Sequence, residues 1–451
     1  MKKQLAAKPT VLEVGKDART DAIASASLAS NYAPRLVGLS ELETPGLLAK
    51  CDPLITVTSL ADPGCLADLV ATHRPDLAII GPEDPLASGY ADELIRLGVP
   101  TFGPQQALAE IESSKSFARS LLERYEIPGN PSSRLFESDA GLAEYLRALS
   151  AFVVKPDGLT GGKGVRVQGD HFQTAEEGLA YAREILDSDG RVQIEEKLIG
   201  EEFSLQTITD GHTFIHCPAV QDHKRAFEDD RGPNTGGMGS YSCREHSLPF
   251  LDEVDLAEAQ ATNERVIEAL GRDTGIPYRG VLYGGFIATR DGVKLIEYNC
   301  RFGDPEAMNV LPLLEGDFLE IAYATAVGRL HEVRAGFAPL ATVCKYVVPA
   351  NYPGVTVPGE PIDVPDDLQS SGGNARWYWA ACRQDGDRVV MTGSRAGVVV
   401  GIGETLQEAE RVAEQAVRRV GGNVRYRRDI GTQALIARRV AHMRELRGAR
   451  V

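Results

Sequence analysis

The chain has 451 residues; its 48 lysines and arginines stand against 64 aspartates and glutamates, for a net charge of −16, and 43% of its residues are hydrophobic and 25% charged. This is the make-up of an ordinary globular chain with length for about three domains, so disordered and collagen-like classes fall away. Acidic balance with scattered basic residues also excludes a protein that wraps nucleic acid, since phosphate backbones need concentrated positive charge, although a local cluster is enough for a small anion.

Short β-branched runs alternate with helical stretches over the first hundred residues: TVLEV at 10–14, a helix from Asp17 to Ala29, RLVGL at 35–39, LITV at 54–57, DLAIIG at 76–81 and VPTFGP at 99–104. This βαβ rhythm predicts a parallel sheet. Ligands collect at the carboxyl ends of such strands, which makes Gly15 and Gly81 candidate floor positions, or equally plain turn glycines. From Ser114 a helix (SKSFARSLLERY) leads to the break IPGNPSSRLF. A small α+β unit is expected between about 131 and 200, with strands at FVVKP, GVRVQ and VQIEEKL around a helical EEGLAYAREIL. Residues 202–335 add FSLQTITDG, TFIHCPAV, GVLYGGFIAT and VKLIEYN as antiparallel strands and a helix near 253–271. Beyond 335, VVVGIGETLQEAERVAEQAVRRV reads as a strand and a helix with an acidic start and a basic end, as the helix dipole favours.

The seven cysteines (Cys51, Cys65, Cys217, Cys243, Cys300, Cys344, Cys382) are odd in number and lack any C-x-x-C pair, which favours reduced thiols over disulfides or zinc. No run reaches the roughly 18 apolar residues of a membrane helix, and the basic opening MKKQLAAKPT leads into a strand. A cytoplasmic location is expected, without membrane or nucleic-acid partners.

Four runs carry chemistry. In Lys155-Pro156-Asp157-Gly158-Leu159-Thr160-Gly161-Gly162-Lys163-Gly164, four glycines and two lysines form a loop whose amides and ammonium groups suit phosphates; it is not a Walker loop, and a ligand-free glycine hairpin is the alternative. Next comes Gln193-Ile194-Glu195-Glu196-Lys197-Leu198, followed by Glu201 and Glu202, a strand end with acids that suits an adenine edge and a ribose, or a solvated charged face. In Glu297-Tyr298-Asn299-Cys300-Arg301, strand alternation puts Glu297, Asn299 and Arg301 on one face. Two oxygen ligands suit Mg²⁺ (or Mn²⁺) bridged to phosphates and the guanidinium a transferring phosphoryl group, unless Glu297 and Arg301 simply pair. Last, Asp222-His223-Lys224-Arg225 beside GPNTGGMG forms an anion site, with Asp222 available for an ammonium group, or a surface turn.

In this order, KPDGLTGGKGV, EEKLIGEEF, QDHKR, GPNTGGMG and EYNCRFGDPE resemble the ATP-grasp enzymes and, within them, the phosphoribosylamine–glycine ligase family. GPEDPLASG, FGP, SKSFARSLL and YRRDIG extend the likeness over nearly the whole chain, and SRAGVVVGIGET is similar to the archaeal branch. The resemblance implies a fold of α/β and α+β parts: an N-terminal parallel α/β domain (1–113), a two-part ATP-grasp module (114–335, with a mobile lid at about 131–200) and a small C-terminal α+β domain (336–451). It implies an ATP-dependent ligase that activates glycine as an acyl phosphate for attack by phosphoribosylamine, as monomer or homodimer. Carried over, Lys115, Lys155, Gly161, Gly162, Lys163 and Gly164 would meet ATP phosphates, Glu195, Glu196, Lys197 and Leu198 the adenine, and Glu202 the ribose. Glu297 and Asn299 would bind the metal, and Arg301, Lys224 and Asp304 would act in catalysis. Gly15, Arg19, Gly81, Pro82, Glu83, Asp222, His223, Arg225, Asn234, Thr235 and Gly237 would surround the substrates.

One turn departs from that family. Its first strand normally ends in G-x-G-G-R-E-H-A, whereas this chain reads Gly15-Lys16-Asp17-Ala18-Arg19-Thr20-Asp21-Ala22. An Asp there can cap the following helix and put a carboxylate where a sugar phosphate should sit. Two readings besides the ordinary ligase follow: a ligase with a changed acceptor or carboxylate, and a non-catalytic nucleotide-binding relative.

Overall fold

The computed structural model describes residues 4–158, 164–369 and 372–448. Five strands, β1 (Thr10–Val14), β2 (Arg35–Ser40), β3 (Leu54–Thr56), β4 (Leu77–Ile80) and β5 (Thr101–Phe102), form a parallel sheet in the order β3-β2-β1-β4-β5. Nearly every residue of β1 and β4 is buried, as a parallel sheet covered on both faces requires. Helix α1 (Ala18–Leu28) follows β1, and Asp17 caps it by accepting the Thr20 amide at 2.9 Å. Asp21, fully buried in its first turn, accepts Lys50 Nζ at 2.5 Å from α2 (Pro45–Lys50) and the Trp379 amide at 2.8 Å.

After α3 (Lys115–Arg124), the strands β6 (Ser133–Phe136), β7 (Phe152–Pro156), β8 (Arg166–Val167) and β9 (Val192–Glu196) build a small antiparallel sheet in the order β6-β9-β7-β8. It has an apolar core of its own, including Phe136, Leu142, Phe152 and Ile194. A second antiparallel sheet runs β11-β10-β14-β15, from β10 (Gly200–Thr209), β11 (Phe214–His216), β14 (Gly280–Thr289) and β15 (Gly292–Asn299). The long helix α4 (Glu253–Thr274) packs on it and pins it through Asn263 Nδ2, which donates to the Leu205 carbonyl at 3.1 Å.

The last large sheet crosses the expected boundary at 335. Its path joins β12 (Gln221–Asp222) and β13 (Gly239–Ser242) to β16 (Ala341–Pro349), β18 (Gly397–Gly403) and β17 (Ala375–Trp379). Ser240 pairs with Cys344 and Cys344 with Val400, so the middle of the chain and its C-terminal part share one set of backbone hydrogen bonds. The final helix α5 (Gln433–Arg447), which the sequence reading did not single out, lies across β10 and β14. Its basic residues meet acids of the body: Arg438 reaches Asp229, Arg439 reaches Glu201 and Asp230, and Arg447 reaches Asp252 and Asp255. All seven cysteines are free, and among the described residues no helix is long and apolar enough to cross a membrane.

Candidate active site

Strand β15 carries the centre of the site, and one irregularity decides which way its side chains point. Glu297 pairs with Gly285 and Leu295 with Phe286, which leaves Ile296 as an extra residue in a bulge. Val293 and Leu295 are buried before it, Tyr298 and Cys300 after it, so the alternation changes parity there. A regular strand would send Glu297 into the core behind Leu295. Instead Glu297 stays about one-third exposed and meets Lys224 Nζ at 3.6 Å. A narrow cleft opens beside them, lined by Glu202, Asp222, Lys224, Tyr283, Gly285 and Ile296.

The charges here are balanced by position. Burial pushes the Glu297 carboxyl up, but Lys224, Lys155, Lys115 and Arg301 outweigh it and hold the group below the usual carboxylate range. Burial opposes the Lys224 charge, and Glu297, Glu202, Asp222 and Glu306 restore it, far above an ordinary lysine. Asp222 is raised well above its ordinary value, first by burial and then by Glu306. Backbone must approach it closely: Gly237 has φ +108°, and a Cβ there would come within 2.8 Å of both Asp222 Oδ1 and Pro305 Cδ. Thr235 folds back onto the Lys224 carbonyl through its amide at 2.8 Å and its hydroxyl at 2.9 Å, and Asn234 pairs with Arg225 across a hairpin.

Arg301 does not pair with Glu297. Its guanidinium donates to Glu112 at 3.0 Å, to Glu83 at 3.2 Å and to Asn299 Oδ1 at 3.2 Å. Glu83 lies 3.5 Å from Arg19, which in turn holds the Asp17 carboxylate and donates to the Phe302 carbonyl at 2.8 Å. The result is a row of alternating charge, Asp17, Arg19, Glu83, Arg301, Glu112, running from the α1 turn to β15. Burial raises the Glu83 carboxyl, but Arg301 and Arg19 bring it down to about 2. Gly15 (φ +146°) and Gly81 are close-approach positions: an added Cβ would lie 2.2 and 2.8 Å from Thr20 Oγ1. Pro82 precedes the short helix Glu83–Ala87, and Lys16 pairs with Glu41.

On the other side, Lys115 Nζ donates to the Gly158 carbonyl at 2.8 Å, and the buried Asp157 carboxylate accepts the Ser116 amide at 2.6 Å. Gly161, Gly162 and Lys163 lie outside the described residues, while the Gly164 carbonyl accepts the Tyr181 hydroxyl at 2.8 Å.

Several expected side chains are placed otherwise. Glu195 does not line an adenine pocket with its carboxylate; it is buried between Arg119 Nε at 2.8 Å and Lys155 Nζ at 2.7 Å and held at about 2, because those two cations outweigh its burial. Glu196 accepts the Ser132 amide and Lys197 donates to the Gln168 carbonyl, both at 2.7 Å, with Leu198 half-buried just beyond β9. His223 is 2% exposed and turned away from the cleft, since it alternates with Asp222 and Lys224. Arg225 is spent on Asp170 of the small sheet unit at 2.7 Å and the Gly232 carbonyl at 3.0 Å. Asp304 accepts the Tyr346 hydroxyl at 2.6 Å and pairs with Arg395 at 3.3 Å, so it anchors its loop to β16. Sequence reasoning missed Arg119, Glu112 and Arg395; a charged residue on the apolar side of a helix is the one signal that marks the first two.

This arrangement can be compared with known proteins. Models of the phosphoribosylglycinamide synthetase N domain, ATP-grasp (A) domain and C domain match residues 9–112, 113–307 and 342–433. The chain belongs to the phosphoribosylglycinamide synthetase family. Among curated relatives of that family, it is 43% identical to a phosphoribosylamine–glycine ligase of Methanococcus maripaludis, over 97% of this chain and 99% of the relative. It is 42% identical to one of Methanosarcina barkeri, over 97% and 100%. Among solved structures it is similar to a phosphoribosylamine–glycine ligase of Thermotoga maritima (TM-score 0.77, 24% identity, 93% of this chain and 99% of that one). The biotin carboxylase domain of Hydrogenobacter thermophilus 2-oxoglutarate carboxylase, in complex with MgADP, ADP and bicarbonate, shares the fold at TM-score 0.69 and 14% identity, over 98% and 94%. The synthetase family therefore carries the ATP-grasp fold that the row of motifs implied.

Proposed function

We propose that this chain joins glycine to 5-phosphoribosylamine at the expense of ATP, giving glycinamide ribonucleotide, ADP and phosphate, a step of de novo purine synthesis. The observation that carries the reading is the face of β15, where carboxylate, amide and guanidinium stand among Lys115, Lys155 and Lys224. Glu297 is ionised, a third exposed and offers hard oxygen, as does Asn299, so these residues fit Mg²⁺ or Mn²⁺. A divalent ion bound there would neutralise charge on the ATP phosphates.

The chain's own groups do the rest. Lys115 and Lys155 hold phosphate oxygens, and Leu198 with the backbone after β9 borders the adenine, while Glu202 meets the ribose. Arg301 faces the phosphoryl group passing to the glycine carboxylate, which is a poor electrophile until its oxygen becomes part of a phosphate leaving group. Asp222 accepts the glycine ammonium and Lys224 its carboxylate. The amine then attacks the acyl carbon and phosphate leaves. The unit at about 131–200 closes over these groups and excludes the water that would hydrolyse the acyl phosphate.

The test is ADP release with Mg²⁺-ATP and glycine, with and without freshly made phosphoribosylamine, and mass analysis of the product. Amine-dependent ADP and a glycinamide ribonucleotide mass are expected; no amine dependence and no such mass would overturn the reading. One observation favours a second reading, a ligase with another acceptor: the Asp17 carboxylate already holds the Thr20 amide of α1 and Arg19, where an acceptor phosphate would bind. A screen of amines against glycine-dependent ADP release separates the two.

A further inference from the structure

The YRRDIG run takes no part in the site as described, yet its Arg427 is fully buried, a costly place for a guanidinium unless every donor is used. Arg427 Nε and Nη2 hold Asp429 at 2.9 and 2.6 Å, and Nη1 donates to Asp230 Oδ1 and to the Arg225 carbonyl, both at 3.0 Å. These are contacts to the back of the segment whose front is the cleft: Asp222 and Lys224 face the substrates, while His223 and the Arg225 carbonyl face Arg427. The turn beyond is gripped from the same side. Asp229 and Asp230 both have positive φ, +59° and +52°, a conformation that non-glycine residues hold only when their surroundings impose it. Their carboxylates are taken by Arg438, and by Arg427 with Arg439.

We infer that Arg427 is a positioning residue for the substrate-facing segment: it fixes Asp222 and Lys224 from behind through the Arg225 carbonyl and Asp230. The His223 ring lies 5.9 Å from that of Tyr241 and is tilted 37° to it, its Nε2 has no hydrogen-bond partner, and the charged groups acting on it are Arg427, Arg439, Asp230 and Asp429. Burial and then Arg427 push its imidazole down to about 3. Without Arg427, the two aspartates face His223 with less opposing charge, which moves its value upward against the burial that remains.

The role assigned to Lys224 rests on the function proposed above, so the test has one arm that needs no turnover. In the full-length protein, the His223 resonance, assigned by loss in His223→Gln, is followed by NMR from about pH 5 to 8. Over that range the wild-type His223 signal is expected to keep one position, to move away from it in Arg427→Met as the segment shifts, and to return to it in Arg427→Lys. In the turnover arm, Arg427→Met lowers kcat about tenfold or more while KM for ATP stays within about twofold. An unmoved His223 signal in folded Arg427→Met, or wild-type kinetics in that variant, overturns the inference. If Arg427→Met fails to fold, Asp429→Asn, which frees Arg427 Nε and Nη2, takes its place, and an unchanged kcat in that variant overturns the inference equally. A wild type without ligase turnover sinks the proposed function alone, and the NMR arm still decides this one.

Discussion

At the scale of single residues, Arg301 and Glu195 illustrate how similar ion pairs serve different ends. Arg301 is tied to Glu83 and Glu112 yet stands beside Asn299 on the substrate face, so Arg301→Ala is expected to cut kcat by about a hundredfold or more. Glu297→Gln is expected to lose Mg²⁺-dependent turnover while keeping its fold; steady-state kinetics with a melting curve check both. Glu195 is packing: with its folded value at about 2, below the ordinary 4.5, its stabilisation is complete above that ordinary value and lost as pH falls through about 2. Glu13, buried in β1 with Ser27 donating to it at 2.7 Å, has the opposite sign. Burial lifts it to about 8 against the hydrogen bond, so the fold keeps a proton that the unfolded chain sheds, and stability falls as pH rises from 4.5 to about 8. Glu13→Gln should therefore raise Tm more at pH 8 than at about pH 5, by calorimetry. The face Glu297, Asn299, Arg301 was legible from period two alone. Its partners Glu112 and Arg119 were not, nor was the pairing of Glu83 with Arg301, because these residues come from helices and turns more than 170 residues earlier, and no local pattern records that meeting.

At the scale of elements, the bulge at Ile296 is the decisive local feature. The sequence reading placed Glu297 correctly with Asn299 but carried no sign that the strand changes parity just before them, since a bulge is set by pairing with β14 and not by composition. Deleting Ile296 would return Glu297 to the core side and is expected to abolish ADP release, whereas Ile296→Ala, which keeps the extra residue, should retain most of it. The strands of the parallel sheet, and β7, β8 and β9 of the small antiparallel sheet, were legible because their hydrophobic runs end at clear turns, whereas β6 lies inside the run IPGNPSSRLF that reads as a break. Helix α5 was not singled out, because its outer face is basic and its buried positions are few, chiefly Leu435 and Met443. It is held by ion pairs to other elements, which leave no apolar periodicity to read.

For the whole molecule, composition and motif order together led to the family, and the shared sheet could not be foreseen from either. Because β13 pairs with β16, a chain ending at residue 335 would keep the strand at 239–242 without its partner. Such a truncation is expected to aggregate or stay partly unfolded by gel filtration and circular dichroism, whereas the small unit with its own core should retain local order.

Asp21 binds the amide of Trp379, 358 residues further along, and Arg19 binds the carbonyl of Phe302, 283 residues along. The turn after β1 is thus finished by parts of the chain made much later. During synthesis the first sheet has on the order of tens of seconds in which it exists without these contacts. A nascent chain therefore lacks both contacts until its final third has been translated, and an interrupted one leaves the turn after β1 unfinished.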